Sequence, residues 1–458
     1  MSFPEGFLWG AAAAAYQIEG AAATDGRGRS VWDDYCDRPG AVKHGDTGLV
    51  ACDHYHRYDE DVEIMRELQL QAYRLSVAWS RVLPTGEGMV NDAGLDFYDR
   101  LIDKLLSAGI EPWVTLFHWD QPSALFQKGG WLARDSAHWF ADYATLLATR
   151  FGDRVTNWIT LNEPQVYIDH GHATAVHAPG LTLSLREQLL AGHNTMRAHG
   201  LAVAALRSAS PRPCRIGYTG VGCCACPIDD DPATVEAARR ETNKVVRGNH
   251  FNNAWWYDPI CLGRYPADGL EAFGNDMPDH PESDLADMCQ PIDFLGLNIY
   301  QAGRLRLDAD GEPEFVQPGV GHPRTDFDWP VVPEALRWSP FFVHERYRLP
   351  IYITENGLAS MDWVARDGRV HDANRIDFTA RYLDQLHLAI QDGADVRGYF
   401  HWSILDNFEW GAGFSKRFGL VHVDYETLER TIKDSGYWYR DVIRSNGTIL
   451  QDPETVVS

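Results

Sequence analysis

Two glutamates stand at matching points of two short apolar runs. Pro350-Ile-Tyr-Ile-Thr-Glu355-Asn356-Gly357 delivers a carboxyl where a β-branched stretch ends at a glycine, and Asn157-Trp-Ile-Thr-Leu161 runs into Asn162-Glu163-Pro164. Each reads as a buried strand with its chemistry at the tip. A lone strand-end glutamate could be a surface terminus, but two in the same context suggest a pair. Two carboxyl groups flanking an anomeric carbon cleave a glycosidic bond, one donating a proton to the leaving oxygen and the other attacking or activating water. A parallel barrel would let residues this far apart in sequence meet, because it gathers the C-terminal ends of all its strands on one face.

The elements that must position this pair repeat one grammar, in which an amphipathic helix closes at glycine and a short strand follows. Residues 135–151 carry Phe140, Tyr143, Ala144, Leu147 and Phe151 on one face, then Gly152, then the strand ending at Asn162. Earlier, Asn91 is read as capping a helix with Tyr98, Leu101, Ile102 and Leu105 that stops at Gly109. Later, Ile376, Ala380, Leu383 and Ile390 form a face ended by Gly393. Strands are expected near 7–13, 72–77, 112–117, 157–162, 214–222, 293–300, 350–355 and 397–402. Eight closes a barrel. The fold class is therefore α/β, a single (β/α)8 TIM barrel over residues 1–458, with 14–71, 223–292 and 301–349 read as loops elaborating the βα face.

Composition narrows the partners. A formal charge of −24 argues against nucleic acid, and no apolar run approaches the length of a membrane helix. The apolar stretch Phe7–Ala15 lacks a preceding basic region and reads as the first strand rather than a signal peptide, so a cytoplasmic location is expected. Of eight cysteines, Cys223, Cys224 and Cys226 cluster, yet no Cys-x-x-Cys pair or matching histidine spacing accompanies them. Free thiols are expected, and no function is assigned to that cluster. No metal and no cofactor is expected.

The strand-end residues, taken in order within Phe7-Leu-Trp-Gly10, Tyr16-Gln-Ile-Glu-Gly20, Tyr73-Arg-Leu-Ser-Val-Ala-Trp-Ser-Arg81, Thr160-Leu-Asn-Glu-Pro164, Thr354-Glu-Asn-Gly357 and Trp402-Ser-Ile-Leu-Asp-Asn-Phe-Glu-Trp410, resemble glycoside hydrolase family 1, the retaining β-glucosidases, across nearly the whole chain. The resemblance implies Glu163 as acid/base and Glu355 as nucleophile, with Arg74, Asn298 and Tyr300 in the network around Glu355. It implies Gln17, His118, Trp119, Asn162, Glu409 and Trp410 on the sugar, Trp402 beneath the ring, Phe418 as a wall and Trp329 as a platform for the leaving group. Gln165 stands where many relatives carry tryptophan near the aglycone. The expected reaction is hydrolysis of terminal β-D-glucosyl residues, with galactosyl or fucosyl residues as further substrates. Expected partners are small β-glycosides such as cello-oligosaccharides and aryl glucosides. The rival readings are a phospho-β-glycosidase, which Glu409 beside Trp410 disfavours; a metal-dependent hydrolase built on His54, His56, His170 and His172; and a non-catalytic sugar-binding barrel.

Overall fold

The computed structural model describes residues 2–451; residues 1 and 452–458, the two ends of the expected domain, lie outside the described residues. Eight parallel strands close into a barrel: β1 (Leu8–Ala12), β2 (Ala72–Ser76), β3 (Glu111–Phe117), β4 (Asn157–Asn162), β5 (Arg215–Val221), β6 (Phe294–Asn298), β7 (Ile351–Asn356) and β8 (Val396–Trp402). Each pairs with its sequence neighbours, and β8 returns to β1 with Leu8 opposite Gly398 and Ala12 opposite Trp402. Every expected strand is present, with bounds that differ by a residue or two.

The barrel interior is filled from the bottom by aromatic side chains, and close packing between its strands explains two of its glycines. Trp113 packs against Tyr352, Phe294 and Phe400 at ring separations of 4.7, 5.2 and 5.2 Å. A Cβ on Gly10 would lie 2.6 Å from the Phe400 ring, and one on Gly296 would lie 2.1 Å from Thr219 Oγ1. The bare backbone at these positions makes room for a side chain of the neighbouring strand. Above the aromatic layer the interior turns polar, with Arg74, Thr115, Asn298 and Thr354 all buried.

Outside the barrel, the expected helices form. Ser136–Phe151 buries Phe140, Tyr143, Ala144, Leu147 and Phe151, and Asp92–Ser107 buries Tyr98, Leu101, Ile102 and Leu105. Asn91 precedes the second of these helices but its side chain makes no cap. Instead Asn91 Nδ2 donates to the carbonyls of Asp25 and Arg81 and ties the loop after β1 to the helix entry. The intervals read as loops hold more structure than expected, including helices His54–Glu67, Pro232–Asn243, Ala254–Leu262 and Ala335–Tyr347. They also hold a three-stranded sheet of Ala225–Pro227, Gly303–Leu307 and Pro313–Val316. Two of those helices contain an internal proline, Pro259 and Pro340, a residue that normally marks a helix end.

Two register shifts decide where the strand-end carboxyls point. Along β7, Tyr352 faces the barrel interior and Ile351 and Ile353 the outer core, and Thr354 reaches inward to Asn298. Strict alternation would turn Glu355 outward, but pairing with both neighbouring strands slips between Ile353 and the strand end. Along β4, Ile159 faces inward, Thr160 bonds His199 and Leu161 joins the outer core, and the pairing with β5 slips between Ile159 and Asn162. Each irregularity re-aims the last side chains toward the barrel mouth.

Candidate active site

The C-terminal mouth of the barrel opens into a cleft of about 960 Å³ lined by Glu163 and Glu355 together with His118, Trp119, Asn298, Tyr300, Trp329, Trp402, Glu409, Trp410 and Phe418. Eleven residues expected at the site therefore line one cavity. Gln17, Arg74 and Asn162 are fully buried just behind it and bond directly to lining residues.

Arg74 organises the floor. Its Nη1 donates to Glu355 Oε1 at 2.5 Å and to the Thr354 carbonyl at 3.2 Å, Nη2 to Asn162 Oδ1 at 2.6 Å, and Nε to Thr115 Oγ1 at 3.2 Å. Tyr300 donates its phenol to Glu355 Oε2 at 2.7 Å, so both oxygens of that carboxyl are held. Asn298 Nδ2 donates to Asn162 Oδ1 at 3.0 Å and to Glu163 Oε1 at 2.9 Å, while Thr354 donates to Asn298 Oδ1 at 2.7 Å. The two glutamates thus belong to one hydrogen-bonded network running Glu355, Arg74, Asn162, Asn298, Glu163.

That network also fixes protons. Asn162 Oδ1 accepts from two donors, which sets the amide orientation, and Nδ2 then donates to His118 Nε2 at 3.1 Å. His118 accepts there, so its own proton sits on Nδ1; burial and the nearby Arg74 cation keep the ring well below its usual pKa and neutral. One N–H of Asn162 is left without a protein acceptor. Trp119 spends its indole N–H on the Asn162 carbonyl at 2.9 Å, leaving only its ring for a ligand. Trp402 and Trp410 flank His118 at 5.8 and 5.9 Å.

Gln17 donates through Nε2 to Asn407 Oδ1, the Phe408 carbonyl and Glu409 Oε2 at 3.0, 2.8 and 3.5 Å, while its buried Oε1 has no partner. An unpaired buried acceptor beside a carboxyl is a site for hydroxyl donors. On the opposite wall, Trp329 stacks on Phe327 at 4.7 Å, with Phe418 5.9 Å from Phe327 and from Tyr300.

The two strand-end carboxyls differ electrostatically. Burial, then the charge of Glu355, push Glu163 well above the usual carboxyl range, with the Asn298 hydrogen bond opposing. Burial also raises Glu355, but Arg74, the Tyr300 phenol and Asn298 all favour its ionised form. Of the pair, the surroundings favour the proton on Glu163 and the charge on Glu355. Burial and Glu355 push Glu409 up to about 8, which favours its protonated form at neutral pH.

Gln165 does not line the cleft. It is fully buried, accepts the Val221 N–H at 3.4 Å, and leaves its place in the cleft wall to Val166. Thr115 and Thr354, which hold Arg74 and Asn298, were missed; their signal was alternation, since both sit on inward positions of barrel strands. Val166, Phe251 and Phe327 also line the cleft, and nothing local in the sequence distinguishes them from packing residues. The four histidines of the metal-site reading go to separate partners. His54 pairs with Asp61, His56 with Asp53, His170 with Asp169, and His172 Nδ1 with the Tyr167 carbonyl. Among the described residues no group of three or more His, Cys, Asp or Glu side chains could hold a metal ion, and no helix is long and apolar enough to cross a membrane.

The chain matches the profile described as Glycosyl hydrolase family 1 over residues 1–448. It is 47% identical over 450 residues to beta-glucosidase A of Thermotoga maritima, covering 97% of this chain and 98% of that protein. It is 46% identical over 450 residues to 1,4-beta-D-glucan glucohydrolase of Thermotoga neapolitana, covering 97% and 99%. Among solved structures, the beta-glucosidase from Thermotoga maritima in complex with glucoimidazole has a TM-score of 0.89 at 47% identity, over 97% of this chain and 99% of that one.

Proposed function

The chain belongs to glycosyl hydrolase family 1, and on that premise we propose that it releases terminal β-D-glucosyl residues by double displacement, with Glu355 as nucleophile and Glu163 as acid/base. The observation that carries the reading is the unequal environment of two carboxyls joined through Arg74, Asn162 and Asn298.

In the first step Glu355, oriented by Arg74 and Tyr300, attacks the anomeric carbon while Glu163 gives its proton to the leaving oxygen. As negative charge leaves Glu355 the pressure on Glu163 to stay protonated falls, which suits its second task of taking a proton from the incoming water. The free N–H of Asn162 is placed for the sugar 2-hydroxyl, a contact that strengthens in the oxocarbenium-like transition state. Neutral His118, the Gln17 acceptor and Glu409 serve the remaining hydroxyls, over the Trp402 ring. A protonated Glu409 carboxyl can both donate to and accept from sugar hydroxyls. Gln17 and Glu409 together can meet an equatorial or an axial 4-hydroxyl, so galactosides and fucosides are accepted at lower rates. Cello-oligosaccharides and aryl glucosides are the substrates expected for a cleft of about 960 Å³ with aromatic walls.

The phosphorylated-sugar reading finds less support. Among the described residues Arg304 is the one Lys or Arg lining the cleft, and it lies 3.5 Å from Glu334. The protonated state of Glu409 lessens direct repulsion, so discrimination rests on the lack of a cation to meet a phosphate dianion. 4-Nitrophenyl β-glucoside should exceed its 6-phosphate by about two orders of magnitude in kcat/KM, roughly 2.7 kcal/mol.

The deciding experiment is Glu355→Ala. Turnover should vanish, and azide should restore part of it with a glucosyl azide of α configuration, since azide fills the space of the lost carboxylate. A β product, or undiminished activity, would remove Glu355 as nucleophile. The two carboxyl groups should stand about 5 Å apart in a ligand complex, as retention requires.

A further inference from the structure

The cysteine cluster to which the reaction gives no task lies in the wall of the same cleft. Cys223 and Cys224 follow the end of β5 and line the cavity, and Cys226 is buried behind them with its Sγ 3.7 Å from Cys224 Sγ. The segment is pinned on both sides of the pair. Cys223 N–H donates to Asn253 Oδ1 at 3.2 Å and its carbonyl accepts Asn253 Nδ2 at 2.9 Å, while Ala225 N–H donates to Thr242 Oγ1 at 3.0 Å. Cys224 and Cys226 flank Ala225 where the strand Ala225–Pro227 begins, and their close sulfurs show that both side chains leave the same side of the chain. Their Cα atoms are then about 6.7 Å apart, near the upper end of what a disulfide spans.

We propose that Cys224 and Cys226 form a dithiol modification site that low-molecular-weight disulfides oxidise to an intramolecular bridge, altering the leaving-group side of the cleft. Cys224 reaches the cavity and Cys226 does not, which sets the order of events. The Cys224 thiolate attacks one sulfur of the reagent disulfide and expels the other half as a thiolate, giving a mixed disulfide. Cys226 then gives up its proton to that basic thiolate or to water, attacks Cys224 Sγ and expels the second half. Two protein thiols are oxidised, one reagent disulfide is reduced to two thiols, and no other reactant is consumed. Burial holds the Cys226 thiol well above its usual pKa, so the second exchange is the slow one.

Closure has a structural consequence because the strand is coupled to the cleft. Cys224 O accepts the Gly303 N–H at 3.3 Å, and Ala225 and Cys226 pair with Gly303 and Arg304. The next strand of that sheet carries Phe315 and Val316, which line the cavity. Bringing the sulfurs together rotates Cys224 out of the wall and draws on this sheet, while Glu163, Glu355 and Arg74 are held by other strands. The functional consequence rests on the glycosidase reading; formation of the bridge does not.

The full-length reduced protein is incubated with hydroxyethyl disulfide, and peptides are mapped by mass without reduction. A peptide carrying Cys224 and Cys226 should lose two hydrogen atoms and regain them with dithiothreitol. In the same samples kcat/KM for octyl β-glucoside should fall by about threefold or more, with β-glucosyl fluoride unchanged, because only the first has a leaving group that touches this wall. Cys226→Ala should instead retain a hydroxyethyl adduct on Cys224, Cys224→Ser should show neither bridge nor adduct there, and Cys223→Ala should still form the bridge. A bridge mapped to other cysteines, an adduct on wild-type Cys224 that never resolves, or equal loss on both substrates would overturn the proposal. Failure of the reduced protein to hydrolyse β-glucosyl fluoride would count against the glycosidase reading, which the mass data do not depend on.

Discussion

Asn162 shows how single residues assign the chemistry here. With Arg74 and Asn298 on its oxygen and His118 on one N–H, it has one donor left, which the proposed mechanism gives to the sugar 2-hydroxyl. The same accounting gives the pH behaviour. Glu355 must be ionised to attack, so activity falls on the acid side as it takes up a proton; Glu163 must be protonated, so activity falls on the alkaline side as it releases one. Glu163→Gln should abolish the alkaline limb of kcat/KM for a dinitrophenyl β-glucoside and keep the acid limb. An alkaline limb that persists in the variant would assign that proton elsewhere. Rates should separate by leaving group as well. A dinitrophenolate departs without acid help and should lose less than about tenfold in this variant, whereas an alkyl glucoside should lose about 10³-fold or more. Equal losses would contradict Glu163 as the acid.

At the level of elements, the loop after β8 carries Glu409, Trp410 and Phe418, and a buried ion network holds it. Lys433 Nζ donates to Asp406 Oδ1 at 2.7 Å and to Asp362 Oδ2 at 2.5 Å, Arg417 donates to Asp406 at 2.7 Å, and Arg375 pairs with Asp362 at 2.7 Å and with Asp372. Asp406 Oδ1 also accepts the Gly419 N–H, and Arg375 bonds the Leu358 and Arg417 carbonyls, so loops after β7 and β8 are clamped to the helix that follows Lys433. Three cations balance three carboxylates. Removing one leaves a buried charge unpaired, so Lys433→Met should cost about 3–5 kcal/mol in urea unfolding. It should also weaken binding of a glucose-like imino sugar, because the loop that presents Glu409 loses its anchor. Unchanged affinity in the folded variant would show that the loop holds its shape without the network.

Across the whole molecule, burial makes stability depend on pH from two directions. Glu409 and Asp120 are each pushed up to about 8, chiefly by desolvation. The folded state then binds more protons than the unfolded one between about pH 4 and 8, and stability falls as pH rises through that window. Glu409→Gln should therefore raise Tm at pH 8 and leave it nearly unchanged at pH 4; a larger gain at pH 4 would reverse the sign. Arg134, His193 and Arg197 hold Asp284 down to about 2 against its burial, so its stabilising contribution is present at neutral pH and is lost as pH falls from about 4 toward 2. Much of this molecule was legible beforehand. Runs of β-branched and aromatic residues ending at glycine or proline fix strands locally, helices show in their spacing, and both glutamates sit at strand ends where a closed barrel must expose them. Less local features were not. Asn91 makes no cap because its amide finds the Asp25 and Arg81 carbonyls across the fold, and Gln165 leaves the cleft for the edge of β5. The sequence by itself determined the eight strands, their order and the residues at their tips, since each depends on neighbours a few positions away. Only the tertiary structure decided that Glu355 and Asn162 turn inward, through slips in pairing set by adjacent strands, and that two like carboxyls acquire unlike protonation. Register, burial and the reach of Arg74 from β2 to β7 arise from barrel closure, and no stretch of chain contains both sides of any of them.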